Sequence, residues 1–247
     1  MEFIGDYHTH SRYSDGHATI LQLVEAARAR GLQEIAITDH GPQNLTWGVD
    51  SVTTFLDIKR EVAALNQEYD DIHVLVGAEA NIIGIDGEID LPEAIIQELD
   101  VLIVGLHPYI RPASWNDGVE LVLNNQLGKL SRGIRKKVYN SNTKAVVNAL
   151  HRYDVDIVSH PGLFMGVDYQ EVACACVQNN TAFEINAGHQ FPSLGAVLTA
   201  ADEGVDFIVN SDAHYPASVG ELDYGRSVIA QARLPVERVI NFREKGG

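Results

Sequence analysis

The feature that most constrains this chain is a repeated unit: a short apolar run, a polar residue directly after it, then a segment of helical periodicity. The apolar runs fall at residues 3–7, 34–38, 72–76, 101–105, 156–159, 182–185 and 206–210. Short apolar strands alternating with helices are the signature of a parallel sheet with helical crossovers. Thr19 and Gln22 fit a capping box, Ile20, Leu23, Val24 and Ala27 form an apolar stripe, and Gly31 suits the helix stop. Further helices are expected over 51–68, 92–99, 142–152, 168–179 and 193–203, with Pro235 opening a last one. Residues 110–140 read as an irregular insertion or lid. No low-complexity tract or break divides the chain, so one domain over 1–247 is expected.

The residues that end the strands choose between an open sheet and a closed one. In order they are His8 and His10, His40, Glu79, His107, His160, and Asp212 with His214. Alternate side chains of a strand share a face, so His8 and His10 project together. Each residue has a plain explanation by itself: a histidine before proline can punctuate a strand, and Glu79 or Asp212 can cap a helix. Six of the ten histidines at strand ends, however, call for one shared cause. In a barrel such groups converge on the C-terminal rim, whereas an open sheet would spread them along a line. A barrel is therefore expected, with a site for divalent metal. Asp39 is read as a carboxylate orienting His40. His73, His151 and His189 are read as structural.

The net charge of −16 disfavours extended nucleic-acid binding, which needs a basic face. Residues 121–150 are the local exception, with Lys129, Arg132, Arg135, Lys136, Lys137 and Lys144 and no acid. They form either a solvated basic face or a patch that attracts an anionic substrate. No stretch approaches the ~20 apolar residues of a membrane span, and no secretory signal is visible. Cys174 and Cys176 are two apart on a helical pattern, which excludes a disulfide framework and makes a reducing cytoplasmic setting the expectation. Arg111, just past His107, and Arg226, beyond the last ligand pair, are candidates to bind a phosphate bidentately.

The strand-end motifs carry a family resemblance. His8-Thr9-His10, Ser14-Asp15-Gly16, Thr38-Asp39-His40-Gly41, Gly77-Ala78-Glu79, His107-Pro108, Ser159-His160-Pro161 and Ser211-Asp212-Ala213-His214 resemble the PHP (polymerase and histidinol phosphatase) family of metal-dependent phosphoesterases. The resemblance implies an α/β fold, a distorted (β/α)7 TIM-like barrel, and three divalent ions of Zn, Mn or Fe. It assigns His8, His10, Glu79 and Asp212 to one ion, with Glu79 bridging to a second held by His107 and His160. A third falls to His40, His214 and either Asp15 or His17, with Asp15 preferred because the Ser-Asp-Gly spacing is intact. The implied reaction is hydrolysis of a small phosphorylated substrate by a hydroxide shared between metals. A 3′–5′ exonuclease, a non-catalytic metal-bound module and an amidohydrolase are the competing readings. Substrate choice is expected to lie in residues 110–140.

Overall fold

The computed structural model describes residues 2–128 and 132–243, apart from the side chain of Arg132. Seven strands form one sheet: β2 (Gly5–Asp6), β3 (Glu34–Ile37), β4 (His73–Asn81), β5 (Val101–Gly105), β6 (Ile157–Val158), β7 (Ala182–Asn186) and β8 (Phe207–Asn210). They lie in sequence order and every neighbouring pair is parallel. Past the strand ends, the His10 amide donates to the Ala213 carbonyl (2.8 Å) and the Ala213 amide to that of His8 (3.2 Å). Below them, the buried Asn241 side chain donates to the Gly5 and Val209 carbonyls and accepts from the Val209 amide. These bonds draw the first and last strands together, so the sheet curls into a nearly closed barrel. β1 (Glu2–Phe3) pairs antiparallel with β9 (Phe242–Arg243) beneath it, where the Phe3 and Phe242 rings pack 4.7 Å apart.

Helices α1 (Ile20–Ala29), α2 (Thr54–Glu68), α3 (Glu93–Ile96), α7 (Tyr169–Asn179), α8 (Leu194–Asp202) and α9 (Asp223–Ala232) connect the strands or follow them. Thr19 and Gln22 make both halves of the capping box, and Ile20, Leu23, Val24 and Ala27 are all buried. Asp168 and Ser193 cap α7 and α8 through side-chain oxygens. The expected helix at Pro235 is only a short turn, Val236–Arg238. The sequence reading had no α9, whose pattern is interrupted by Gly225. A Cβ there would lie 2.1 Å from Val209, so the glycine allows the helix onto β8.

The larger difference lies between β5 and β6. Past residues 110–114, which are bridge and coil, the described residues of the expected irregular lid are helical: α4 (Trp115–Asp117), a π-helical stretch (Gly118–Leu123), α5 (Asn124–Gly128) and α6 (Arg132–Arg152). α6 begins ten residues earlier than its expected start at 142. Its polar face hid the periodicity, and tertiary contacts supply the stability: buried Asn142 bonds Asn125 and the Gly166 carbonyl, and Lys137 pairs with Glu120.

Two apolar cores result. The larger lies between strands and helices and contains Phe55, Val62, Phe183 and Val209. The smaller fills the barrel floor with Ala36, Val101, Ile103, Ile157, Ala182 and Ile208. The period of two puts polar groups above that floor on the same inward rows. Val101 and Ile103 lead through Gly105 to His107, Ala182 leads to Glu184, and Ile208 leads to Asn210. One end of the barrel interior is thus dry and the other polar.

Candidate metal centre

All nine residues read from the sequence as metal donors meet at the polar end: His8, His10, Asp15, His40, Glu79, His107, His160, Asp212 and His214. The six imidazoles and Glu79 are buried or partly buried, and Asp15, Asp212 and His214 face the opening. Glu79 is central. Its Oε1 lies 3.0 Å from His160 Nε2 and 3.4 Å from His107 Nε2. Its Oε2 lies 2.9 Å from His40 Nδ1, 3.3 Å from His8 Nε2 and 3.7 Å from His10 Nε2. Asp212 Oδ1 lies 3.1 Å from His10 Nε2, and Asp15 Oδ2 lies 3.1 Å from His214 Nε2.

The donors group as His10, Asp15, His40 and His214; His8, His10 and Asp212; His8, Glu79 and His160; and His40, Glu79 and His107, each set within 4.8 Å. The first contains the expected third set with Asp15. The others share members: His40 turns Nδ1 to Glu79 and Nε2 towards Asp15 (3.9 Å). His17, the alternative to Asp15, stacks instead on Tyr215 at 4.4 Å and is in none of the four sets.

These residues fit divalent ions on one observation. His8 Nε2, both nitrogens of His10, His40 Nδ1, His107 Nε2 and both oxygens of Glu79 are buried without a hydrogen-bond partner among the described residues. Several lie close to one another but are misaligned for hydrogen bonding. Leaving that many buried polar atoms unsatisfied costs about 1–3 kcal/mol each, which coordination of a cation would offset.

A surrounding layer aims the donors. Glu184 Oε1 accepts from His8 Nδ1 at 2.7 Å and from Asn210 Nδ2 at 3.0 Å. Its Oε2 accepts from the His160 amide at 2.7 Å and from Asn186 Nδ2 at 3.2 Å. Asn81 Oδ1 meets His107 Nδ1 at 2.8 Å, and Asp90 holds Asn81 through its amide (2.8 Å) and Nδ2 (2.6 Å). Such partners fix imidazole tautomer and direction. Gly105 makes room: a Cβ there would stand 2.4 Å from Ser159 Oγ, 2.9 Å from His107 Cε1 and 3.0 Å from Glu79 Oε1. His160 and Asp212 adopt positive φ (24° and 53°), a conformation costly for such residues and found where a site demands it.

Charge follows the same geometry. Burial alone would raise Glu79, yet the imidazoles of His8, His107 and His40 hold it well below the usual carboxylate range. Burial would lower His8, but Asp212, Glu184 and Glu79 raise it well above an ordinary histidine. Burial and the neighbouring His40 push His10 down to about 4. For His214 burial is outweighed by Asp15 and Asp212, which raise it to about 9.

Other expectations are corrected. Asp39 does not orient His40; its carboxylate accepts from the amides and hydroxyls of Ser11 and Ser14, which pins the loop carrying Asp15. Neither arginine reaches the donors. Arg111 follows buried Ile110 onto another face and lines a separate cavity of about 710 Å³ with Asp90 and Gln43. Arg226 sits on α9 with its guanidinium 5.1 Å from the Phe3 ring, under the opposite end of the barrel. Of the basic segment, Lys129 and the Arg132 side chain lie outside the described residues, and Lys137 pairs with Glu120 at 2.6 Å. His73 is exposed at the start of β4, and His151 meets Asn179 on the surface.

Sequence reasoning missed the supporting layer and the rim. Glu184 had one signal, an acid inside the apolar run Ala182-Phe183-Glu184-Ile185. His189, read as structural, lines the cavity with Nε2 3.4 Å from Asp212 Oδ2. Trp47 and Phe164 complete the walls of this cavity of about 210 Å³.

A parallel barrel with buried imidazoles and carboxylates at its C-terminal rim defines a metal-site α/β protein. The PHP domain family matches residues 6–211, and the chain belongs to that family. It is 31% identical to a probable phosphatase of Thermoanaerobacter sp. (strain X514) over 98% of this chain and 91% of that protein. A probable phosphatase of Aeromonas salmonicida is 30% identical over 97% and 90%. Among solved structures, a putative histidinol phosphatase from Listeria monocytogenes superposes with a TM-score of 0.66 at 16% identity, covering 87% of this chain and 97% of that one. Histidinol phosphate phosphatase from Lactococcus lactis, complexed with zinc, L-histidinol and phosphate, gives 0.60 at 16% identity, covering 92% and 93%. These two share the fold. No helix among the described residues is long and apolar enough to cross a membrane.

Proposed function

We propose that this chain is a metal-dependent phosphatase that hydrolyses a small phosphomonoester, with His8, His10, Asp15, His40, Glu79, His107, His160, Asp212 and His214 holding up to three divalent ions. The observation that carries the reading is the convergence of buried polar atoms that lack hydrogen-bond partners among the described residues. Probable phosphatases matching nearly the whole chain support the reaction class. Zinc in the Lactococcus structure makes zinc the first ion to test, with manganese and iron next. Residues 1–247 act as one domain in this reading, since the donors come from strands all around one sheet.

Divalent ions bound here would supply the attacking oxygen and neutralise charge on the phosphoryl group. The protein's part is to orient and to exclude. Glu184 and Asn81 fix the His8 and His107 rings, so their Nε2 atoms face the centre. His189, outside the four donor sets, can donate to a phosphoryl oxygen at the mouth. Trp47 and Phe164 flank that mouth and limit water.

The test is an activity panel on protein loaded with zinc or manganese. Phosphate release from small monoesters with labelled single-stranded DNA left intact is the expected result. Degradation of the DNA without monoester cleavage would establish the exonuclease reading instead. Stoichiometric metal uptake with neither activity would mark a non-catalytic module, and failure to bind metal would overturn both.

A further inference from the structure

Resting on the phosphatase reading, we propose that the cavity beyond Phe164 is the leaving-group subsite, and that Arg135 within it selects phosphomonoesters whose leaving group carries a second anionic group. The donor-lined cavity of about 210 Å³ is small for a whole substrate; ligand sites are typically ~300–1,000 Å³. A second cavity of about 410 Å³ shares one wall residue with it, Phe164, whose side chain is 42% exposed. That ring stands 5.6 Å from His160 and 6.2 Å from His107 by centroids. In this reading the leaving group of a phosphoryl group held against these histidines passes Phe164 towards Arg135, Val138 and Tyr139, which line the second cavity.

The far cavity is built onto the site. The loop that follows His160 is tied to α6 by Asn142 donating to the Gly166 carbonyl (3.1 Å) and the Asp168 amide donating to Thr143 (2.8 Å).

Charge names the ligand class. No lysine or arginine lines the donor cavity among the described residues. Among the described residues Arg135 is the cation lining the second, and its Nε donates to the Gly128 carbonyl at 3.2 Å, which holds the guanidinium plane. No carboxylate pairs with it among the described residues, in contrast to Lys137 with Glu120. A planar guanidinium fixed at one edge suits a carboxylate or phosphate at the other. The opposite rim, Trp47 against Tyr109, presents aromatic surface.

The experiment compares two substrates that differ only at the end remote from the phosphate: 6-phosphogluconate, with a carboxylate, and sorbitol 6-phosphate, with a hydroxymethyl. The metal-loaded protein is expected to show a KM for 6-phosphogluconate about tenfold lower. Arg135→Gln should reduce that preference to within about twofold, with the loss falling on KM, and Arg135→Lys should restore part of it. Calorimetric titration with D-gluconate should show the same loss of affinity in Arg135→Gln without turnover. Equal KM values in the unaltered protein, or a preference that survives Arg135→Gln, would overturn the subsite. Absence of phosphate release from these two esters and from the whole panel of small monoesters, in protein that has bound metal, would instead defeat the phosphatase reading on which it rests.

Discussion

Glu184 offers the sharpest test of how the site is held. All four of its contacts require an acceptor: His8 Nδ1 at 2.7 Å, the His160 amide at 2.7 Å, Asn210 Nδ2 at 3.0 Å and Asn186 Nδ2 at 3.2 Å. A carboxylate satisfies all four, and a glutamine of the same shape cannot. If its amide nitrogen faces His8, the imidazole must accept through Nδ1 and carry its proton on Nε2. A proton kept on Nε2, between Glu79 (3.3 Å) and Asp212 (3.6 Å), denies a metal the lone pair it needs there. If the nitrogen faces His160, two N–H donors oppose each other. Either arrangement forfeits a hydrogen bond to a charged acceptor, worth roughly 1.5–3 kcal/mol, and such outer-layer changes cost about 10–100-fold in metal affinity. Glu184→Gln is therefore expected to weaken zinc or manganese binding by that factor, measured by competition with a chromophoric chelator. Nitrogen NMR of His8 in the metal-loaded protein would report the tautomer independently. Wild-type metal affinity together with an unchanged His8 tautomer would refute the reasoning.

Gly105→Ala should destabilise the protein by about 1–3 kcal/mol and lower metal affinity, because its Cβ would crowd His107 and Glu79; an unaltered melting temperature and metal content would contradict the packing. Metal uptake by the metal-free protein near pH 7 should release protons, since neighbouring carboxylates raise His8 well above its ordinary value and His214 to about 9. Calorimetry in buffers of different ionisation enthalpy measures this, and buffer-independent heats would rule it out. Asp90 supplies a stability test, because burial raises it from 3.8 to about 6. Its folded-state value exceeds the unfolded one, so its contribution is complete below about pH 3.8 and is lost as pH rises through about 6. The stability of metal-free wild type relative to Asp90→Asn should fall by on the order of 3 kcal/mol between pH 4 and 7. A flat difference in urea unfolding would show that Asp90 is not so perturbed.

The sequence by itself determined the repeated strand-and-helix unit, the parallel sheet and the histidines and acids at its strand ends. These are local properties: strand parity and helix periodicity are written into consecutive residues, and a histidine directly after an apolar run has few other places to project. The capping box at Thr19 and the stripe from Ile20 to Ala27 were legible for the same reason. Tertiary structure decided what depends on distance across the barrel. Glu184 lies 176 residues from the His8 ring that it orients, and no spacing rule connects them. Asp39 stands beside His40 in sequence but turns to Ser11 and Ser14, because adjacent strand residues face opposite sides. Arg111 and Arg226 had the right chemistry and proximity along the chain, yet one follows a buried isoleucine to another face and the other lies beneath the floor. Arg135 had no local mark beyond a basic run, and became distinctive only where α6 meets the loop after His160. Residue type and periodicity specify which groups the barrel rim receives; which of them touch is set by the closing of the sheet, which joins segments some two hundred residues apart.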